Sequence, residues 1–99
     1  MDANDYARFE RSQRAPRTTA RDIDRLIDHA ITVARRNGID RIHGYPVGGL
    51  RRDSAYGGHS VVIVAAPSTG VHRLTDFGYQ PARVVVTWLR GFITALENN

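Results

Sequence analysis

The sequence predicts an α+β domain in which two helices pack on one face of a three-stranded antiparallel sheet, in the order helix, strand, strand, strand, helix. Two stretches with apolar residues at helical spacing lie at 20–37 and 81–97. Between them lies a β-branched run bounded by glycine and proline, which is typical of a buried strand. With 99 residues in total, we expect a flexible arm at 1–17 and one α+β domain at 18–99.

The arm is distinguished by its arginines. The chain contains no lysine, so all of its 14 basic residues are arginine, and four of them are Arg8, Arg11, Arg14 and Arg17. Ala15-Pro16 ends any helix that begins near Asp5, so the arm is predicted to be disordered or partly helical when free. Guanidinium groups gathered in this way can bind phosphate or carboxylate. The absence of lysine also fits the codon usage of a GC-rich genome, which suggests an actinobacterium or one of its phages.

The first helix is predicted over about Ala20 to Asn37. Thr19 can cap its first turn, where Asp22 is favourable for the helix dipole, and Gly38 indicates a left-handed stop. Its apolar stripe comprises Ile23, Leu26, Ile27, Ala30, Ile31 and Ala34.

Three strands and a second helix are predicted to follow. We expect the strands at 40–47, 59–66 and 71–77, with a glycine-rich loop at 48–58 and a tight connection at 67–70. Residues 84–88 have the composition of a strand, but apolar residues recur through this segment at helical spacing for three turns. Because this periodicity outweighs local propensity, we expect a helix at 81–97.

The middle strand is predicted to be apolar on both faces, whereas two helices on one side cover only one of them. The uncovered face would carry Val62 and Val64, with Tyr45 and Tyr56 as further interface residues. A homodimer through this face is the preferred prediction, and the arm or a partner protein are the alternatives.

No residue set predicts a catalytic or metal site. Cysteine is absent, which excludes disulfides and thiolate ligands. His43, His59 and His72 could converge, but they are too far apart in sequence for a typical zinc site. No serine lies in a recognisable nucleophile motif. We therefore expect a non-enzymatic protein without cofactor.

The predicted order of elements, with Gly57-Gly58-His59 between the first two strands, resembles the double-stranded-RNA-binding domain. That family keeps a glycine–proline–x–histidine loop here and opens its last helix with lysines directed at phosphates. In this chain the proline is absent, and residues 80–83 contain a single arginine. The resemblance therefore implies a shared topology and no specific RNA contact, and membership of the family is not predicted.

Two function classes remain. The preferred one is a protein-interaction module, such as an adaptor or inhibitor encoded by a phage against a host protein, acting through the sheet face and the basic arm. The alternative is a nucleic-acid-binding module, in which the arm and the loop arginines Arg51 and Arg52 contact phosphates. The formal charge of only +4 favours the first. An acidic start without an apolar stretch, and no apolar run long enough to cross a membrane, predict a cytoplasmic location.

Overall fold

The computed structural model describes residues 18–65 and 70–98. Helix α1 spans Ala20–Arg36, and helix α2 spans Ala82–Glu97. Between them lie a short hairpin of strands β1 (Arg41–Ile42) and β2 (Tyr45–Pro46), one 3₁₀ turn at Val47–Gly49, and strands β3 (Leu50–Ala55), β4 (Gly58–Ala65) and β5 (Gly70–Arg73). The last three strands form an antiparallel sheet in the order β3-β4-β5. The predicted α+β class and the three-stranded antiparallel sheet are therefore confirmed.

The two ends of helix α1 are stabilised by the residues that the sequence predicts there. The backbone N–H of Thr19 donates to Oδ2 of Asp22 at 2.7 Å, which fixes the first turn. At the other end Gly38 has a φ of 76°, and the N–H of Ile39 donates to the carbonyl of Ala34 at 2.8 Å. This is the bond pattern of a Schellman stop, for which glycine in a left-handed conformation is suited.

The first strand of the sheet differs from the prediction. Residues 50–55, predicted as part of a loop, form β3 and pair with β4 from Leu50–Ile63 to Ala55–Gly58. Residues 40–47, predicted as a strand, form the β1–β2 hairpin outside that sheet. Strand β3 was not recognised from the sequence because its composition is polar. A strand needs little apolar surface of its own when it pairs with a strand as apolar as β4.

Two tight turns explain both differences. His43 and Gly44 have φ values of 53° and 82°, and Tyr56 and Gly57 have values of 54° and 75°. Two consecutive left-handed residues form a type I′ turn, whose twist suits a two-residue hairpin. The glycines at 44 and 57 therefore close hairpins and do not interrupt a strand or line a loop.

The core lies between the two helices and one face of the sheet. Residues of α1, β3, β4 and α2 contribute buried side chains to a single cluster, in which Ile23, Leu50, Val61, Ile63, Val85 and Leu89 are at most 1% exposed. Trp88 packs against this cluster and stacks on Phe92 at a centroid distance of 5.1 Å. Neither helix of the described chain is long and apolar enough to span a membrane.

Neither of the two described helices packs on the opposite face of the sheet. Alternate residues of β4 point to it, namely Ser60, Val62 and Val64, whereas Val61 and Ile63 belong to the core. Val62 is 6% exposed although it lies outside the core cluster, and Val71 on the edge strand β5 is 62% exposed. We call this surface the open face.

The predicted arm, with Arg8, Arg11, Arg14 and Arg17, lies outside the described residues, as does most of the predicted connection at 67–70.

Candidate functional site

The strand register decides which side chains reach the open face. Arg51 and Arg73 pair with Val62 from its two sides, so these three residues form one row across the sheet. Asp53 pairs with Ser60 and begins the next row towards the β3–β4 turn. The open face is therefore apolar along its centre and carries charges on both flanks.

A tyrosine that follows β5 completes the second row. The hydroxyl of Tyr79 donates to Oδ2 of Asp53 at 2.7 Å. The guanidinium of Arg73 lies 5.1 Å from the centre of the Tyr79 ring and 3.7 Å from Asp53, so it contacts both partners. These contacts hold the Tyr79 ring in place on the open face.

Close backbone packing keeps Tyr79 at this position. The pair His59 and Gln80 exchange two backbone hydrogen bonds of 2.8 and 3.0 Å, which extend the sheet beyond β5. A Cβ on Gly58 would lie 2.9 Å from the carbonyl carbon of Tyr79, so only glycine allows this approach. Beneath this segment the Oγ of Ser60 is buried and has no hydrogen-bond partner among the described residues.

Tyr56 projects from the β3–β4 turn. Its side chain is 96% exposed, and its ring meets that of Tyr79 edge to face at a centroid distance of 5.7 Å. Tyrosine is an unusual choice for a left-handed residue, where asparagine, aspartate or glycine cost less. Local strain of this kind is found most often at functional positions.

The two arginines predicted to act together point to opposite sides of the sheet, because neighbours in a strand alternate. Arg51 lies on the open face, exposed, with one terminal nitrogen donating to the carbonyls of Gly48 and Leu50 at 2.7 Å each. Arg52 lies on the helix side, where its Nε donates to Asp24 of α1 at 2.8 Å. This hydrogen bond raises the pKa of Arg52 above its usual value.

The predicted interface residues are also divided. Val62, Val64 and Tyr56 lie on or beside the open face, whereas Tyr45 packs against the helix-side core and stacks on His72 at 5.7 Å. His43 joins this stack, with its ring 4.9 Å from that of His72. Across 18–65 and 70–98, no three histidine, aspartate or glutamate side chains come together to hold a metal ion.

Sequence reasoning did not bring Asp53, Arg73 and Tyr79 together in one site. Arg73 and Tyr79 become neighbours of Asp53 only through the register of β5 and the path of the chain after it, which no local pattern encodes. A signal for Asp53 does exist. Reading Tyr56-Gly57 as a type I′ turn fixes the β3–β4 register, and that register places Arg51 and Asp53 on the same face as Val62.

The open face thus combines two aromatic rings, two arginines and one carboxylate on one sheet. Such a surface can stack planar groups and pair with anions. Comparison with known protein families, with curated proteins and with solved structures finds no match for this chain.

Proposed function

We propose that this protein is a small binding module whose open face binds single-stranded nucleic acid. The observation that carries the proposal is the side chain of Tyr56, which is 96% exposed on a strained left-handed residue and lies beside the anchored ring of Tyr79. Arg51 and Arg73 flank the same face. This is the alternative that the sequence left open, and Arg51 and Tyr56 were among the predicted site residues.

Stacking supplies the affinity in this proposal. A base stacked on an exposed aromatic side chain contributes about 1–3 kcal/mol, with little dependence on sequence. Tyr56 presents an exposed ring at the turn. Because Tyr79 is already held by Asp53 and Arg73, its side chain loses little conformational entropy when a ligand binds. Two bases could stack side by side on the two rings.

Charge supports the same ligand. The side chain of Arg73 remains 45% exposed, and Arg51 is exposed as well, so both can reach a phosphate backbone. On this face two arginines stand against Asp53 as the single acid of the rows described above. The basic arm, which was predicted to contact phosphates, would add charge to the complex, and the predicted cytoplasmic location would bring the module to nucleic acid.

The test is fluorescence anisotropy with a labelled single-stranded oligonucleotide of mixed sequence, as DNA and as RNA. We expect Tyr56→Ala and the double variant Arg51→Gln/Arg73→Gln each to weaken binding at least about tenfold, the equivalent of one stacked base. Arg36→Gln is the matched control, because Arg36 is exposed at the end of α1 and lies away from the sheet face. Equal binding by all of these variants would refute the proposal.

A second candidate is the homodimer or protein contact predicted from the sequence. It is favoured by the exposure of Val71, which pairs with Val64 on the open face. In the described chain Val71 and Tyr56 are the two large hydrophobic residues that are exposed. Light scattering tests it directly. A dimer that Val71→Asp converts to a monomer would support this candidate, whereas a monomeric wild-type protein would remove the homodimer.

A further inference from the structure

A second group of polar side chains lies on the helix side of the β3–β4 hairpin, across the sheet from the open face. Ser54 and His59 are paired in the register, and Oγ of Ser54 lies 2.7 Å from Nδ1 of His59. A terminal nitrogen of Arg52 donates to the same Oγ. Arg52 is in turn held by Asp24, through bonds of 2.8 and 3.2 Å to its two carboxylate oxygens. We call these four residues the hairpin relay.

The arginine fixes the direction of one of these hydrogen bonds. A guanidinium can only donate, so Oγ of Ser54 accepts from Arg52 and its own proton is free to point at His59. In the tautomer of His59 that has its proton on Nε2, the Nδ1 atom accepts this hydrogen bond from Ser54. The pair then has the arrangement of a hydroxyl nucleophile and its general base, with hydrogen-bond reach between them.

Arg52 also supplies charge where the reaction would need it. Its bidentate pairing with Asp24 fixes the plane of the guanidinium, and the nitrogen that contacts Ser54 carries a second N–H. That N–H can donate to an oxygen that gains negative charge beside Oγ. A cleft of about 270 Å³ between α1 and β3 has room for a small ester, and it is lined in part by Leu50 and by Asp24 and Arg52 of the relay.

We propose that Ser54 is an activated nucleophile that cleaves small carboxylic esters, an activity that the sequence does not predict. Oγ of Ser54 attacks the carbonyl carbon, its proton passes to Nδ1 of His59, and Arg52 stabilises the resulting oxyanion. The carbon–oxygen bond to the alcohol then breaks, and the alcohol leaves with the proton held by His59. Water, deprotonated by His59, hydrolyses the acyl-Ser54 and restores both residues. Arg52 and Ser54 touch the substrate, and Asp24 is a positioning residue.

The test uses the full chain and a fluorophosphonate probe, which reacts with activated serines. Oγ–phosphorus bond formation expels fluoride, and the proton passes to His59. We expect one adduct per molecule, mapped to Ser54 by mass spectrometry, and an initial burst of p-nitrophenolate from p-nitrophenyl acetate. Protein unfolded in urea is the control for ordinary serine reactivity, and it should label at least tenfold more slowly.

His59→Asn separates a catalytic role from a structural one. Its amide oxygen can still accept the hydrogen bond of Ser54, but it cannot take the proton, so we expect labelling to fall at least tenfold with an unchanged circular dichroism spectrum. Ser60→Ala, at the neighbouring position on the other face, should label as the wild type does. Absence of an adduct on Ser54, or wild-type labelling of His59→Asn, would overturn the proposal.

Discussion

Tyr56 adopts a backbone conformation that is unfavourable for its residue type, which has a measurable cost. A left-handed conformation costs a residue with a Cβ about 1–2 kcal/mol, and asparagine is among the residues that tolerate it best. We therefore expect Tyr56→Asn to raise the free energy of unfolding by about 0.5 kcal/mol, after allowance for the lost contact with Tyr79. Urea denaturation measures this change.

The same variant separates stability from binding. If Tyr56 is retained for stacking, Tyr56→Asn gives a more stable protein that binds oligonucleotide more weakly. A less stable variant would show that the contact with Tyr79 outweighs the backbone strain.

Ser60 offers a second prediction at the level of a single residue. Its side chain is completely buried, and Oγ has no partner in the described part of the chain. An unsatisfied buried hydroxyl costs about 1–3 kcal/mol, so we expect Ser60→Ala to raise the free energy of unfolding by about 1 kcal/mol. Thermal denaturation tests this, and destabilisation by Ser60→Ala would indicate a bond to a buried water.

Within the helices and turns, two glycines differ in how well their positions would tolerate a side chain. A Cβ on Gly49 would overlap the carbonyl oxygen of Val64, so the 3₁₀ turn depends on this close approach to β4. Gly91 lies in α2, where no described atom beyond its chain neighbours and the adjacent helix backbone lies within 4 Å of such a Cβ. We expect Gly91→Ala to stabilise the protein by about 1 kcal/mol and Gly49→Ala to destabilise it by more than about 2 kcal/mol. Equal effects in denaturant titrations would contradict the described packing.

The helices could be predicted from sequence because each one contains a complete local signal. The stripe of α1 and its Gly38 stop, and the three-turn periodicity of α2, need no distant partner to be recognised. Strand β3 could not, because its identity depends on pairing with β4. For the candidate site the outcome is similar: Arg51 and Tyr56 were predicted from composition, whereas Arg73 and Tyr79 depend on the fold.

For the whole molecule, the arm and the open face should contribute separately to the salt dependence of binding. Each neutralised phosphate of a single strand adds about 0.7 to the slope of log K against log salt. We expect the variant Arg8→Gln/Arg11→Gln/Arg14→Gln/Arg17→Gln to lose up to about 3 units of slope while it keeps the effect of Tyr56→Ala. An unchanged slope in an oligonucleotide titration would remove the arm from the complex.

The backbone bonds between His59 and Gln80 have a mechanical consequence. They join the β3–β4 hairpin to Gln80, the residue before Pro81. The carbonyl of Pro81 in turn accepts a hydrogen bond of 3.0 Å from the N–H of Val84, in the first turn of α2. A base stacked on the ring of Tyr79 would therefore reduce the fluctuations of α2, which lies on the other side of the sheet. Deuterium uptake at the amides of His59, Gln80 and Val84 should slow together when oligonucleotide is added, which makes α2 a reporter of events that it does not touch.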